Sequence, residues 1–154
     1  MAANSKREQI LLRVKWELEQ LIPASIKTVS RRLPAGIDEL ARYAATQLPL
    51  AVVLGKLPVP VDKQGGQRGG GADCTLILSN LEIEVFGYFL DNTNPDSTLS
   101  SLADDFYRVL NADPRKNSLA ISTEVIPDVI GDWEPYVAFK FICKIRYTHT
   151  LGGL

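Results

Sequence analysis

The sequence is poor in the residues from which catalytic and metal sites are built. It has one histidine, His149, and two cysteines, Cys74 and Cys143, among 154 residues. A Ser–His–Asp or Cys–His catalytic arrangement would depend on His149 alone, near the end of the chain. Two thiols are too few ligands for a structural zinc site. We therefore expect no enzymatic activity and no metal or other cofactor, and we expect both cysteines to be reduced thiols in strands.

The sequence also lacks a large net charge and a long apolar run. Its 17 basic and 18 acidic side chains leave a net charge of −1, without the basic excess that is typical of nucleic-acid binders. The longest apolar run, 48–54, is too short to span a membrane. The polar first eight residues lack the apolar core of a signal peptide. We therefore expect a cytoplasmic protein with no membrane partner and no sequence-specific nucleic-acid partner.

The length and the hydrophobic content fit one domain over residues 1–154. Hydrophobic side chains make up 45% of the chain, which is enough apolar volume for one core. Residues 62–73 are the one stretch without an apolar anchor. No internal repeat divides the chain, so we expect a single domain.

Two segments have the apolar spacing of amphipathic helices. The first is 5–22, where Ser5 opens the Ser-x-x-Glu pattern of a capping box. The second begins with a cap at Ser97 or Thr98 and ends in a turn rich in Asn, Asp and Pro. A short helix follows Asp38, which is a favourable cap residue. The sequence thus predicts two main helices and one short helix.

Five segments have the composition of strands. They are 26–32, 50–55, 74–90, 119–126 and 136–148. The second is apolar throughout, which is typical of a strand buried on both faces. Arg31 and Arg32 indicate an edge position for the first. Strands joined by hairpins, with few crossovers, predict an α+β fold in which two main helices pack on one face of an antiparallel or mixed sheet.

The segment 62–73 contains five glycines. A strand follows these glycines, whereas a phosphate-binding loop or a dinucleotide fingerprint requires a helix there. The composition instead predicts a mobile loop between two antiparallel strands. We expect Lys63 and Arg68 to contact carboxylates of a neighbouring subunit or of a partner protein and so to order the loop. A passive linker is the alternative.

Charged side chains follow the polar face of the two longest strand segments. Glu82 and Glu84 alternate with apolar residues on one strand, and Lys140, Lys144 and Arg146 lie on the polar side of the last. Two neighbouring carboxylates can serve acid–base chemistry. Opposite charges on matching faces favour a ladder of cross-strand pairs instead. We expect these five residues to form a subunit or partner interface, and we expect self-association through this face and the strand edges.

The order of these elements resembles the tail terminator (minor tail, tail-completion) proteins of long-tailed bacteriophages. The similarity covers almost the whole chain and lies in element order and pattern. Its features are the capped helix from Lys6, the apolar strand at 48–54, the long loop into the strand at 81–88, the helix containing 102–107, and a final pair of strands ending in 137–147. No site residue of the family carries over to this chain.

This resemblance implies a structural subunit. Such proteins form a ring, expected here to be a homohexamer, that caps the tail tube and stops its growth. The ring also presents a surface to the head connector or neck proteins. The tail tube is then the partner protein whose carboxylates we expect Lys63 and Arg68 to contact. The resemblance implies a place in the tail or neck of the virion after assembly in the host cytoplasm. The alternatives are a head-closure or head–tail joining subunit and a small ligand-binding domain with a concave polar pocket.

Overall fold

A computed structural model describes residues 5–43, 47–61, 76–91, 93–129 and 135–150. In chain order the elements are α1 (Lys6–Glu19), β1 (Thr28–Ser30), α2 (Ile37–Leu40), β2 (Leu50–Gly55), β3 (Val59–Pro60), β4 (Leu76–Phe89), α3 (Pro95–Asn111), β5 (Ser122–Val129) and β6 (Val137–Thr150). The predicted glycine-rich loop at 62–73 lies outside the described residues, together with Cys74. Its structure therefore stays a prediction.

The six strands form one mixed sheet in the order β1-β2-β4-β6-β5. β1 runs parallel to β2, and the remaining pairs are antiparallel. β3 pairs with β4 beyond the end of β2. β4 and β6 pair along their whole length, from Leu76 opposite Thr150 to Phe89 opposite Val137. The predicted α+β fold with a mixed sheet is confirmed.

One face of the sheet carries the main core. The odd-numbered residues of β4 and β6 point to this inner face, where α1 and α3 cover them. The predicted alternation along both long strands is thus confirmed. The core side chains contributed by the two helices and the two strands include Ile10, Leu11, Val14, Leu18, Leu102, Phe106, Leu110, Leu81, Ile83, Val85, Phe141, Cys143, Ile145 and Tyr147. The two main helices pack on one face, as the sequence predicts.

A glycine on β4 lets an aromatic ring lie flat against the inner face. Gly87 is opposite Phe139 in the β4–β6 register. A Cβ atom at Gly87 would lie 2.2 Å from Cζ of Phe139, far inside van der Waals contact. The Phe139 ring in turn meets Phe106 of α3 edge-on, with ring centroids 5.0 Å apart. The missing side chain therefore makes room for the contact between the sheet and α3.

The capping of both main helices differs in detail from the sequence prediction. Ser5 Oγ accepts a hydrogen bond from the Glu8 N–H at 3.2 Å, which is one half of a capping box. The Glu8 carboxylate binds Arg31 near the end of β1 instead of returning to the helix. α3 begins at Pro95, two residues before the predicted cap, because proline is favourable in the first turn. The Asp91 carboxylate accepts from the backbone ahead of this helix.

The fifth strand is displaced along the chain from its predicted position. It was expected at 119–126 and spans Ser122–Val129. The sequence prediction ended the strand before Pro127, because proline breaks most strands. In the structure β5 is an edge strand. The backbone nitrogen of a proline in an edge strand can face away from the sheet. The strand therefore continues through Pro127 and includes Asp128.

Candidate interaction surface

The side of the sheet opposite α1 and α3, called the outer face here, carries the even-numbered residues of β2, β4, β5 and β6. One end of this face is apolar and covered. Leu40 of α2 packs there against Leu50, Val52, Tyr88 and Tyr136. Burial raises the pKa of the Tyr88 phenol. The short helix thus closes one end of the outer face, and the charged residues lie beyond it.

A three-charge cluster follows the covered end. Lys140 Nζ on β6 lies 3.0 Å from Glu84 Oε2 on β4 and 3.2 Å from Asp128 Oδ2 on β5. It also lies 5.7 Å from the centre of the Phe86 ring. The Glu84 carboxylate, with help from Asp128, raises the pKa of Lys140, so the ammonium stays charged. The predicted pairing of Glu84 with Lys140 is confirmed.

The next charges form a transverse row across the sheet. Lys56, directly after β2, donates its backbone N–H to Glu82 of β4, and its Nζ lies 3.2 Å from Glu82 Oε2. Glu82 is the register partner of Lys144 on β6, and Lys144 is the register partner of Glu124 on β5. The order Lys56–Glu82–Lys144–Glu124, called the charge row here, alternates in sign. It begins with a cation at one sheet edge and ends with a carboxylate at the other.

The remaining predicted interface residues have other surroundings. Arg146 donates its Nε to Asn80 Oδ1 at 3.4 Å, so within the described residues it pairs with an amide. Lys144 faces Glu82 in register, but Glu82 forms its ion pair with Lys56. Lys63 and Arg68 lie outside the described residues. The structure thus brings five of the seven predicted residues onto one face.

Sequence reasoning missed three charged residues of this face: Lys56, Glu124 and Asp128. Lys56 follows the apolar run at 50–55, which predicts a strand buried on both faces. The alternation of side chains along a strand nevertheless places Lys56 opposite Glu82 on the outer face. Asp128 lies beyond residue 126, where the predicted strand ends. Counting the alternation on through Pro127 would have placed Glu124 and Asp128 on the same face.

Exposed apolar side chains lie beside the charge row. Leu57 is 71% exposed and Val59 is 65% exposed at the edge formed by β3. Val59 is opposite Asn80 and therefore points to the outer face. At the opposite edge Ile121 is 53% exposed, directly before β5. Because grouped exposed apolar residues mark contact surfaces, Leu57 and Val59 extend the candidate surface at the β3 edge. Ile121 is a single exposed apolar residue at the other edge.

The backbone of the β3 edge is poorly suited to strand addition. Val61 donates its N–H to the Leu78 carbonyl of β4 at 2.9 Å. The adjacent Pro60 therefore turns its nitrogen away from β4, and this nitrogen carries no hydrogen. The edge of β3 offers no N–H at that position to an incoming strand.

The rest of the sheet perimeter is protected in similar ways. Pro127 lies within β5 on the opposite edge. At the end of β2, Arg7 of α1 donates to the carbonyls of Gly55 and Lys56 at 2.8 and 2.9 Å. β1, the other exposed edge, has three residues only. These features disfavour the addition of a further strand at these edges, and the expected self-association stays a prediction.

A buried ion pair connects the two main helices. Lys116 Nζ lies 2.8 Å from Glu17 Oε1 and donates to the Leu110 carbonyl at 2.7 Å. Burial raises the pKa of the Glu17 carboxyl, against the attraction of Lys116. Arg13 lies 3.5 Å from the other Glu17 oxygen and bridges to Asp113 at 3.2 Å. The pair fixes the loop after α3 onto α1.

Sequence analysis did not anticipate this pair, because polar residues in a turn normally face solvent. Lys116, Asn117 and Ser118 all have positive φ angles, of 49°, 58° and 66°. This left-handed path is costly for residues with a Cβ. It turns the Lys116 side chain inward beneath α3.

His149, which the sequence places near the end of the chain, belongs to the last strand. β6 extends to Thr150, and the His149 side chain is buried on the inner face. His149 Nε2 lies 2.9 Å from Ser79 Oγ, and Nδ1 lies 3.0 Å from the Thr150 carbonyl oxygen. Because a carbonyl only accepts, Nδ1 donates to Thr150, and in the neutral ring Nε2 then accepts from the Ser79 hydroxyl. Both side chains are buried against Tyr147, so the pair is part of the core.

Other possible reactive groups are also placed in the core or on open surface. Burial raises the pKa of the Cys143 thiol to about 12, so it stays protonated at neutral pH. An open depression of about 370 Å³ lies beside α3, where Ser25 donates to Asp105 at 2.5 Å. In the parts of the chain that are described, no three His, Cys, Asp or Glu side chains form a metal-binding group. No helix within those parts has the length and apolar content to cross a membrane.

No protein-family model matches the chain, and no curated protein matches it at a significant level. The candidate surface is therefore characterised by its own geometry. That geometry is an outer sheet face with the charge row, the Lys140 cluster and exposed apolar residues at two edges.

Proposed function

We propose that this protein is a structural subunit of the ring that terminates the tail of a long-tailed bacteriophage. In this role, copies of the chain close into a ring, expected to be a homohexamer. The ring caps the tail tube, stops its growth and offers a surface to the head connector or neck proteins. The order and patterning of the sequence elements suggest this family.

The observation that carries the proposal is the charge row. A monomeric protein gains little from charges that extend to both edges of a sheet, because exposed ion pairs add little stability. Here the row ends with Lys56 at one edge and Glu124 at the other. Opposite charges at opposite edges suit a subunit that contacts like subunits on two sides.

The Lys140 cluster suits contact with a second kind of protein. Lys140 is held by Glu84 and Asp128 from the two neighbouring strands, which fixes the positions of three charged groups before any contact forms. Preorganised charges raise specificity and association rate. We assign this cluster to the contact with the tail tube or the neck.

The test is electron microscopy of the purified protein, alone and mixed with growing tail tubes. We expect rings in the free protein, and tubes that carry a ring at one end and stop lengthening when it is added. The control is a tube preparation without the protein, which should continue to grow. Rings that bind isolated neck proteins but leave tube growth unchanged would reject the terminator role in favour of a head–tail joining role. A monomer with no effect on tubes would reject both.

A further inference from the structure

The charge row is open at both ends. Lys56 forms an ion pair with Glu82, the next residue of the row toward the middle of the sheet, and the Lys56 side chain is more than half exposed. Glu124 at the other end is exposed and has no ion-pair partner among the described residues. Within the described residues the alternation stops at these two charges, and a second molecule can extend it at either end.

Each end of the row has an exposed apolar neighbour at the same level of the sheet. Leu57 and Val59 adjoin Lys56, and Ile121 lies three residues before Glu124. The strand register places Val59 and Ile121 on one line across the sheet. Val59 is opposite Asn80, Asn80 is opposite Arg146, and the Ile121 N–H donates to the Arg146 carbonyl. Both edges therefore combine one charge with exposed aliphatic surface, and the charges are opposite.

The backbone geometry decides which kind of contact is possible. Pro60 and Pro127 interrupt the two edges that carry these residues, so a continuous sheet between molecules is disfavoured. A contact made by side chains remains open. Aliphatic residues can fill its centre, with the Lys56–Glu124 pair beside them, as in the core and rim of ordinary interfaces.

We propose that the Lys56–Leu57–Val59 edge of one copy binds the Ile121–Glu124 edge of the next copy. This assignment rests on the proposed ring and names the contact that closes it. The two edges are different surfaces, so the contact is head-to-tail, and repetition leads to a ring when the angle between copies closes. The bound partner is a second copy because this chain itself supplies the complementary charge and the complementary apolar residue.

The first test uses one variant for each edge, Val59→Asp and Ile121→Asp. Both residues are exposed, so the variants should fold, which circular dichroism will check. Each variant alone should be monomeric in light scattering, with self-association weakened by about a hundredfold, the effect of losing an interface anchor. The matched control is Leu12→Asp, which changes an exposed leucine on α1 and should leave the oligomer mass unchanged.

Mixing the two variants makes the test specific for a head-to-tail contact. Each variant retains one intact edge, so an equimolar mixture should contain a heterodimer and nothing larger. A mixture that stays monomeric would overturn the pairing of these two edges. Full-size oligomers from either variant alone would also overturn it, as would a wild-type protein that remains monomeric at about 1 mM.

The second test exchanges the charges. Lys56→Glu and Glu124→Lys should each weaken assembly by about tenfold, and the double exchange should recover most of that loss. No recovery in the double variant would exclude this ion pair. If assembly depends on the two edges but tube growth is unaffected, the contact stands and the terminator role fails. If wild-type rings terminate tubes but ignore all four substitutions, the role stands and the contact fails.

Discussion

Removing one member of the buried Glu17–Lys116 pair should destabilise the protein far more than removing an exposed ion pair. The Glu17 side chain is 4% exposed and the Lys116 side chain is 0% exposed, and Lys116 Nζ lies 2.8 Å from Glu17 Oε1. The variants are Lys116→Met and Glu17→Gln. Each keeps the approximate volume of the side chain and removes the short contact between the two buried charges. After Lys116→Met, Glu17 keeps only Arg13, whose Nε lies 3.5 Å from its other oxygen.

The expected cost of each single substitution is about 3–5 kcal/mol, because the remaining charge stays desolvated. A domain of this size has a free energy of unfolding of about 5–15 kcal/mol. With a urea dependence of about 2 kcal/mol per molar, the unfolding midpoint should fall by about 1.5–2.5 M. Equilibrium urea unfolding, followed by tryptophan fluorescence and circular dichroism, measures this shift.

The pH dependence gives the prediction a signature. Burial already raises the pKa of the Glu17 carboxyl, and loss of Lys116 should raise it further. A carboxyl with a raised pKa in the folded state favours folding when it is protonated, and this contribution is lost as the pH rises through the folded pKa. The cost of Lys116→Met should therefore shrink between pH 7 and about pH 5, toward the ordinary range for glutamate. Glu17→Gln cannot show this recovery at residue 17.

Two comparisons complete the experiment. Lys15→Met removes the exposed pair with Glu19, whose atoms are 3.9 Å apart, and should cost under about 0.5 kcal/mol. The double variant Glu17→Leu/Lys116→Met leaves no unpaired charge and should be more stable than either single variant. Single-variant costs below about 1 kcal/mol, with no dependence on pH, would refute the reasoning.

Three further predictions follow from the sheet. Gly87→Ala should cost about 1–3 kcal/mol in thermal unfolding, because its Cβ would collide with Phe139; combining it with Phe139→Leu should recover part of the loss, and an additive loss would contradict the collision. The double reversal Glu82→Lys/Glu84→Lys should lower oligomer mass or melting temperature, because it places cations beside the cations of β6, and no change in either would contradict the ladder. His149→Ala should destabilise by about 1–3 kcal/mol by leaving a buried hydroxyl unpaired, yet fully folded protein should assemble normally; loss of a catalytic turnover would contradict the non-enzymatic role.

The sheet and its helices were predictable because their patterns have a strong physical cause. Alternation along β4 and β6 specifies which residues face the helices, and a slip by one residue would expose every one of them. The continuous apolar run of β2 similarly predicts a central strand, buried by α1 on one side and by α2 on the other. Long helices and strands with one covered face can thus be predicted from the sequence.

Features that depend on tertiary position were less accessible. A proline would end a central strand but is compatible with an edge strand, and the sequence does not show which of these positions β5 occupies. Lys116 is buried because a left-handed turn follows α3 and because Glu17 of α1 lies within ion-pair distance. The partner of Glu8 was expected within its own helix and is Arg31, 23 residues away. In each case a distant residue decides the local outcome.

The two faces of the sheet divide the molecule by kind of interaction. On the inner side, Phe139 joins the sheet to α3, and the buried Glu17–Lys116 pair joins α1 to the loop after α3, so these groups are satisfied within one chain. On the outer face, among the described residues, α2 covers one end, and the charge row extends in register to both edges. Because the protected edge backbones disfavour strand addition, we expect the proposed association to use the side chains at the ends of that row. A ring is the arrangement in which every copy satisfies both ends, and this requirement links the geometry of one sheet to the assembly proposed for the protein.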